Sequence, residues 1–136
     1  MILVDTCVLI DVFDDDPVWS EWSAAQLDGW AMRGPLLINP VIYAELAADF
    51  DSISSLDRVI QRAGLELREL PREALYLAGQ AHLRYRRRGG TRAGVLSDFF
   101  IGAHAVITGI PVLTRDTTRY AAYFRDLRLV SPAQSR

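Results

Sequence analysis

Short runs of consecutive apolar residues alternate along this chain with longer stretches whose apolar positions recur every three or four residues. Residues 1–4, 36–38 and 111–114 are short runs, too brief for helices and suited to buried strands. Residues 65–70 alternate and fit a strand or its edge, and residues 127–130 fit a last strand. Between these runs the period is helical. Asp5 or Thr6 can cap a helix through Val8, Leu9, Ile10 and Val12. The acidic run Asp14-Asp15-Asp16 stops at Pro17, a residue suited to the first position of a second helix. That helix carries Val18, Trp22, Ala25, Leu27, Trp30 and Ala31 and ends near Gly34-Pro35. Asn39-Pro40 opens a third helix through Leu46, and residues 52–62 form a fourth with Gly64 as its stop. Pro71 starts a longer helix through Ala74, Leu77, Ala78, Ala81 and Tyr85, which runs out at Arg86-Arg87-Arg88-Gly89-Gly90. Ser97 is expected to cap a helix from 98 to 108 closed by Gly109, and residues 117–124 form a short helix.

Strands alternating with helices predict a three-layer α/β/α sandwich around a mostly parallel sheet. The 136 residues suit one domain, 1–136, with no internal repeat, low-complexity tract or linker. Half the residues are hydrophobic and 24% are charged, an ordinary globular balance. No apolar run approaches the ~20 residues of a membrane span. The first residues lack a basic segment and a small-residue cleavage site, so no signal peptide is expected there. Cys7 is the single cysteine and can form no internal disulfide. It fits a reducing compartment, and the cytoplasm is the expected location.

A net charge of -2 does not advertise a nucleic-acid binder. The positive charge is nevertheless all arginine, because the chain contains no lysine. Arginine's planar fork suits phosphate, and the absence of lysine excludes any mechanism that requires one.

The acidic residues are the candidate chemistry. In a parallel α/β sheet, ligands bind at the edge formed by the carboxyl ends of the strands. Asp5 follows the first strand directly, and Asp116 lies two residues past Thr114 at the end of a later one. A helix that leads into a parallel strand has its N-terminus at that same edge, so Asp98 should meet Asp116. Glu45 lies in the early turns of the helix after the 36–38 strand, again near the edge. Four carboxylates brought together repel and raise one another's pKa, and a hard divalent cation removes that cost. Magnesium held by carboxylates can activate water and stabilise charge on a phosphodiester. No His or Cys cluster with zinc-like spacing competes. Taken singly, Asp5, Asp98 and Asp116 can each be explained as a helix cap or first-turn acid. Glu45 lies too deep in its helix to cap it, in a largely apolar stretch where a charge needs a partner.

These residues resemble a known family. Ile2-Leu3-Val4-Asp5-Thr6, Val41-Ile42-Tyr43-Ala44-Glu45-Leu46, Ser97-Asp98-Phe99-Phe100-Ile101-Gly102-Ala103-His104-Ala105 and Leu113-Thr114-Arg115-Asp116 are similar, in order, to the four motifs of PIN-domain nucleases. The likeness is in particular to the VapC toxins of bacterial type II toxin–antitoxin systems, and it covers nearly the whole chain. It implies that Asp5, Glu45, Asp98 and Asp116 bind one or two magnesium or manganese ions. Asp5 and Asp98 would be central, with Glu45 and Asp116 bound directly or through water. It implies hydrolysis of an RNA phosphodiester by metal-activated water, leaving a 5′-phosphate and a 3′-hydroxyl. Thr6 and Thr114 would be hydroxyls that orient the ligands. The implied partners are an RNA substrate, a cognate antitoxin whose C-terminal segment occupies the active-site groove, and a second copy of the chain in a homodimer.

Arg86, Arg87, Arg88 and Arg92 surround Gly89-Gly90 and either grip phosphates or form a solvated helix end. Arg115, beside Asp116, is a further candidate for substrate contact, or else an ordinary salt bridge within the site. His104 falls on the opposite helix face from Asp98 and reads as a packing residue. His82 reads as surface, Cys7 as a small core residue, and Trp19, Trp22 and Trp30 as core or interface packing. Asp11, Asp14, Asp15 and Asp16 read as a solvated acidic turn. A receiver domain would need a lysine, a haloacid-dehalogenase-like phosphatase an aspartate at position 7, and a P-loop enzyme a Gly-Lys-Ser/Thr motif; the chain has none of these. The remaining alternative is a PIN-like domain that binds RNA or a partner without cutting.

Overall fold

The computed structural model describes residues 1–92 and 94–132. Its strands are β1 (Ile2–Val4), β2 (Leu36–Ile38), β3 (Leu65–Leu67), β4 (Val112–Leu113) and β5 (Leu129–Val130). Its helices are α1 (Thr6–Phe13), α2 (Ser20–Ala31), α3 (Pro40–Ala47), α4 (Ile53–Arg62), α5 (Arg72–Arg87), α6 (Leu96–Thr108) and α7 (Thr118–Tyr123). The strands form one sheet in the order β3-β2-β1-β4-β5, and every neighbouring pair is parallel. The sheet is therefore wholly parallel among the described residues, where a mostly parallel one was expected. Ile2, Leu3 and Val4 are fully buried, and Leu36, Leu37 and Ile38 nearly so. Successive strand residues point to opposite faces, so burial of all of them means that helices cover both faces, as an all-parallel sheet requires.

The strand order sets the position of the site. The chain steps from β1 to β2 to β3 in one direction, then returns past both to place β4 on the other side of β1. The gap between the carboxyl ends of β1 and β4 is the point where the order reverses, and such points form crevices in open α/β sheets. Register pairs Leu3 with Val112 and Val4 with Leu113, and the Asp5 N–H donates to the Leu113 carbonyl at 2.9 Å. Asp5 thus leaves its strand level with the end of β4.

Local chemistry explains several helix ends. Asn39 caps α3, its Oδ1 accepting from the Ile42 N–H at 2.9 Å, with Pro40 as the first helical residue. Ser52 and Ser55 form a capping box on α4. Gly109 ends α6 with φ +72°, a conformation that glycine adopts without strain. Two expected starts differ. Pro17 does not open α2, because Asp16 Oδ2 accepts from the N–H groups of Val18 at 3.0 Å and Trp19 at 2.8 Å and holds a turn ahead of the helix. Val18 is consequently exposed. Ser97 does not cap α6, which begins one residue earlier with Val95 at the cap position, so Asp98 is its third residue.

Helix α7 is held on α6 by aromatic packing. Phe99 meets Tyr123 edge to face with centroids 5.2 Å apart, and Phe124 lies across Gly102. A Cβ at Gly102 would stand 2.5 Å from Phe124 Cε2. Phe124 is buried and boxed in by Phe99, so it has little room to yield. Gly102→Ala should therefore destabilise the fold by about 1–3 kcal/mol through overpacking, measured by urea unfolding. An unchanged midpoint would show that α7 can shift without cost.

Candidate functional site

Asp5 is the N-cap of α1 and is only 6% exposed. Three donors hold its carboxylate: the Thr6 N–H on Oδ1 at 2.8 Å, and the hydroxyls of Thr114 at 2.8 Å and Tyr120 at 3.1 Å on Oδ2. These bonds favour the ionised form, yet burial outweighs them and the charge of Asp98 adds to it. The carboxyl is pushed up to about 6. The same burial, with the nearby Asp5 charge, raises the Cys7 thiol to about 11, so Cys7 is not a thiolate nucleophile near neutral pH.

Glu45 sits on the exposed face of α3, not in an apolar environment as its sequence neighbours suggest. Its partners are hydroxyls. Thr6 donates to Oε1 at 2.7 Å, and Ser97 Oγ lies 3.2 Å from Oε2 and 3.1 Å from the Gly94 carbonyl. Asp98, in the first turn of α6, is ion-paired with Arg119 Nη1. Burial raises its pKa, Arg119 opposes the rise, and the charges of Glu45 and Asp116 add to it. Asp116 is exposed, and its Oδ1 accepts from the Thr118 N–H at 3.2 Å. The Thr114 hydroxyl, which donates to Asp5, accepts from the Asp116 N–H at 3.0 Å.

All four acids therefore lie at one edge, with Asp98 as the node: it acts electrostatically on Asp5 and feels Glu45 and Asp116. Among the described residues, however, no three His, Cys, Asp or Glu side chains stand close enough to hold an ion as they are now turned. Asp98 faces Arg119, Asp5 faces Thr114 and Tyr120, and Glu45 faces Thr6 and Ser97. The donor set is all oxygen, with hydroxyls behind two of the carboxylates. That chemistry fits a hard cation such as magnesium or manganese.

The remaining candidates separate clearly. Arg115 points away from the four acids: its Nε and Nη2 reach Asp11 at 2.6 and 2.8 Å, and its guanidinium lies 5.1 Å from the Trp19 ring centre. Asp11 is correspondingly buried, also accepting from Ser23 at 2.7 Å, and is no part of a solvated turn. Arg86 and Arg92 line a cavity of about 430 Å³ with His82, Tyr85, Gly90 and Thr91. Arg88 instead lies over Tyr123, and Arg87 is exposed at the end of α5. His82 is half-buried, stacked beside Tyr85. His104 is buried against Asn39, its Nδ1 3.1 Å from Asn39 Nδ2, with its pKa lowered by burial and then by Arg68. Arg119, Tyr120 and the Ser97 contact to Glu45 were not foreseen. The signal for the first two was available: a helix starting two residues after Asp116 directs its first turn back over that edge.

A family model for the PIN domain matches residues 2–124. The chain belongs to the PIN-domain family. None of the curated proteins matches it in sequence. Among solved structures, this PIN domain is similar to a VapBC complex from Rickettsia felis bound to a promoter DNA fragment, with 15% identity, 96% of this chain and 98% of that chain covered, and a TM-score of 0.72. It is similar also to FitAcB from Neisseria gonorrhoeae, at 23% identity over 98% and 99% of the two chains with a TM-score of 0.68. A toxin–antitoxin complex from Klebsiella pneumoniae matches at 19% identity over 97% and 98%, with a TM-score of 0.71. At these identities the likeness is one of fold. No helix among the described residues of the PIN domain is long and apolar enough to cross a membrane.

Burial of Asp5 has a signed consequence for stability. Its ordinary pKa of 3.8 is the unfolded value and about 6 the folded one. The folded state therefore holds the proton more tightly, and stability falls as pH rises from near 4 through 6. The difference amounts to about 3 kcal/mol. With a chelator present, urea unfolding of wild type and Asp5→Asn at pH 4 and pH 8 should show wild type losing about 2–3 kcal/mol relative to the variant across that interval. A difference between the two proteins that does not change with pH would contradict the burial argument.

Proposed function

We propose that this PIN domain is a magnesium- or manganese-dependent endoribonuclease acting as the toxin of a type II toxin–antitoxin pair. One observation carries the nuclease reading: Asp98 is flanked at the sheet-reversal crevice by Asp5, Glu45 and Asp116, in an all-oxygen set of acids whose pKa values, for Asp5 and Asp98, are raised. Asp5 and Asp98 would be the central metal ligands, with Glu45 and Asp116 bound directly or through water. A divalent cation held there would supply a Lewis acid for the phosphodiester and a lowered pKa for attacking water.

The chain's own residues prepare that site. Thr114 and Tyr120 fix the direction of Asp5, and Thr6 fixes that of Glu45, which limits the rotamers each carboxylate can adopt. Arg86 and Arg92, on the cavity beside Tyr85, would contact backbone phosphates of a single strand. Arg87 and Arg88 would add field without direct geometry toward the acids. Arg115 would act on the loop rather than on RNA, since its fork is occupied by Asp11. The toxin reading is supported by the fold shared with chains from toxin–antitoxin complexes. It brings with it a cognate antitoxin as partner and a homodimer as the unit of assembly.

Purified chain should cut single-stranded or structured RNA with manganese and stop with chelator. Asp98→Asn should reduce the rate by about 100-fold or more, since even loss of a residue behind a metal ligand costs 10–100-fold. Equal cutting in all three conditions would identify a contaminating nuclease. RNA that is bound but left intact in every condition would favour a PIN-like domain that binds without cleaving.

A further inference from the structure

We propose that Arg119 is the resident counter-cation of the acidic cluster: it competes with a divalent ion for Asp98 and, when displaced, receives the phosphodiester of the substrate. The proposal rests on the metal-site reading above. Among the described residues, Arg119 is the one cation ion-paired to any of the four acids. It has chosen the acid at the node, where Glu45, Asp116 and Asp5 all act, so a positive charge there offsets more repulsion than at any other member. The Arg119 side chain is only 15% exposed, so its charge is poorly screened by solvent. Its other flank lies 5.9 Å from the Tyr85 ring centre, on the same tyrosine that lines the cavity with Arg86 and Arg92. The guanidinium therefore stands between the acids and the proposed path of the strand.

Arg115 shows by contrast what a purely structural arginine looks like here. It makes two bonds to a buried aspartate, stacks on Trp19, and has no contact with the four acids. Arg119 makes one hydrogen bond, from Nη1 to Asp98, leaving most of a planar fork uncommitted. A cation entering at Asp98 meets that positive charge a few ångströms away, and the two repel whether Arg119 stays or swings aside. A guanidinium turned from Asp98 toward Tyr85 keeps its van der Waals support. It offers paired N–H donors to the two non-bridging oxygens of a phosphate, the geometry in which arginine binds phosphate best. Arg119 would then be a positioning residue for the metal and a contact residue for the substrate.

The test uses the full chain in three forms, wild type, Arg119→Gln and Arg119→Lys, with thermal melting to establish that each is folded. Manganese is titrated without RNA and followed by electron paramagnetic resonance. Arg119→Gln should bind manganese about tenfold more tightly, because a competing charge is gone. Arg119→Lys should stay near wild type. With manganese saturating, Arg119→Gln should cut RNA with kcat/KM lower by about 100-fold, and Arg119→Lys should recover part of the loss. Manganese binding that is unchanged or weaker in Arg119→Gln would mean that the arginine merely props Asp98, and would overturn the proposal. Tighter manganese binding with unaltered kcat/KM would overturn the phosphate contact. If the wild type itself neither binds manganese nor cuts RNA, the metal-site reading fails and takes this inference with it, an outcome readily told apart from the other two.

Discussion

The carboxyl edge of this sheet is organised around one constraint: a carboxylate buried at the end of the central strand must be kept in place although burial favours its neutral form. Asp5 meets that constraint with donors drawn from three parts of the chain. Thr6 comes from the helix it caps, Thr114 from the end of the neighbouring strand, and Tyr120 from the short helix beyond. Each bond therefore also ties an element to the edge. The Thr114 hydroxyl cannot reach Asp5 unless β1 and β4 are in register. Tyr120 cannot reach it unless α7 lies down on α6, which in turn needs the bare backbone of Gly102 beneath Phe124. Site geometry and core packing are one problem here. A change in the aromatic layer should be felt at the carboxylates.

Much of this was legible in the chain because it depends on order and period. A strand ending at Asp5, a helix opening near Asp98 and a strand ending before Asp116 force convergence once the sheet is parallel, whatever the side chains do. Asn39 as a cap and Gly109 as a stop are local chemistry and were read correctly for the same reason. Features that depend on contacts distant in sequence were not legible. Glu45 looks stranded among apolar neighbours, yet its helix turns it outward, where Thr6 and Ser97 meet it from 39 and 52 residues away. Ser97 resembles a cap by position, but α6 begins one residue before it and its hydroxyl turns to Glu45 and the Gly94 carbonyl.

The two arginines flanking Asp116 illustrate the limit most clearly. Arg115 and Arg119 are four residues apart and of the same chemistry, and adjacency favoured Arg115 as the functional one. In the fold, Arg115 leaves the edge on the side of α1 and α2, where Asp11, Ser23 and Trp19 neutralise and enclose it. Arg119, one helical turn on, swings back over the acids. What separates them is the partner available within reach. Asp11 was itself misread as a surface acid because its sequence neighbours Asp14 and Asp15 are exposed ones.

The contrast between these two ion pairs also bears on why the acidic edge exists. Asp11 is almost fully buried and receives a two-bond guanidinium together with a serine hydroxyl, so its charge is compensated by direct partners. The fold can evidently neutralise an acid at this end of the sheet when nothing else is required of it. At Asp5 and Asp98 it does so incompletely. Hydroxyl donors and the N-terminal ends of α1 and α6 help, but a helix end contributes only about 0.3–1 kcal/mol to a nearby anion. Both carboxyls remain raised despite them. Among the described residues only Asp98 of the four acids is ion-paired, to one poorly screened arginine, while a second arginine beside Asp116 is committed elsewhere. An edge left short of positive charge in a chain that has arginine to hand is what a site for an external cation would look like from within. The same shortage leaves Arg119 as the one charge such a cation would have to move.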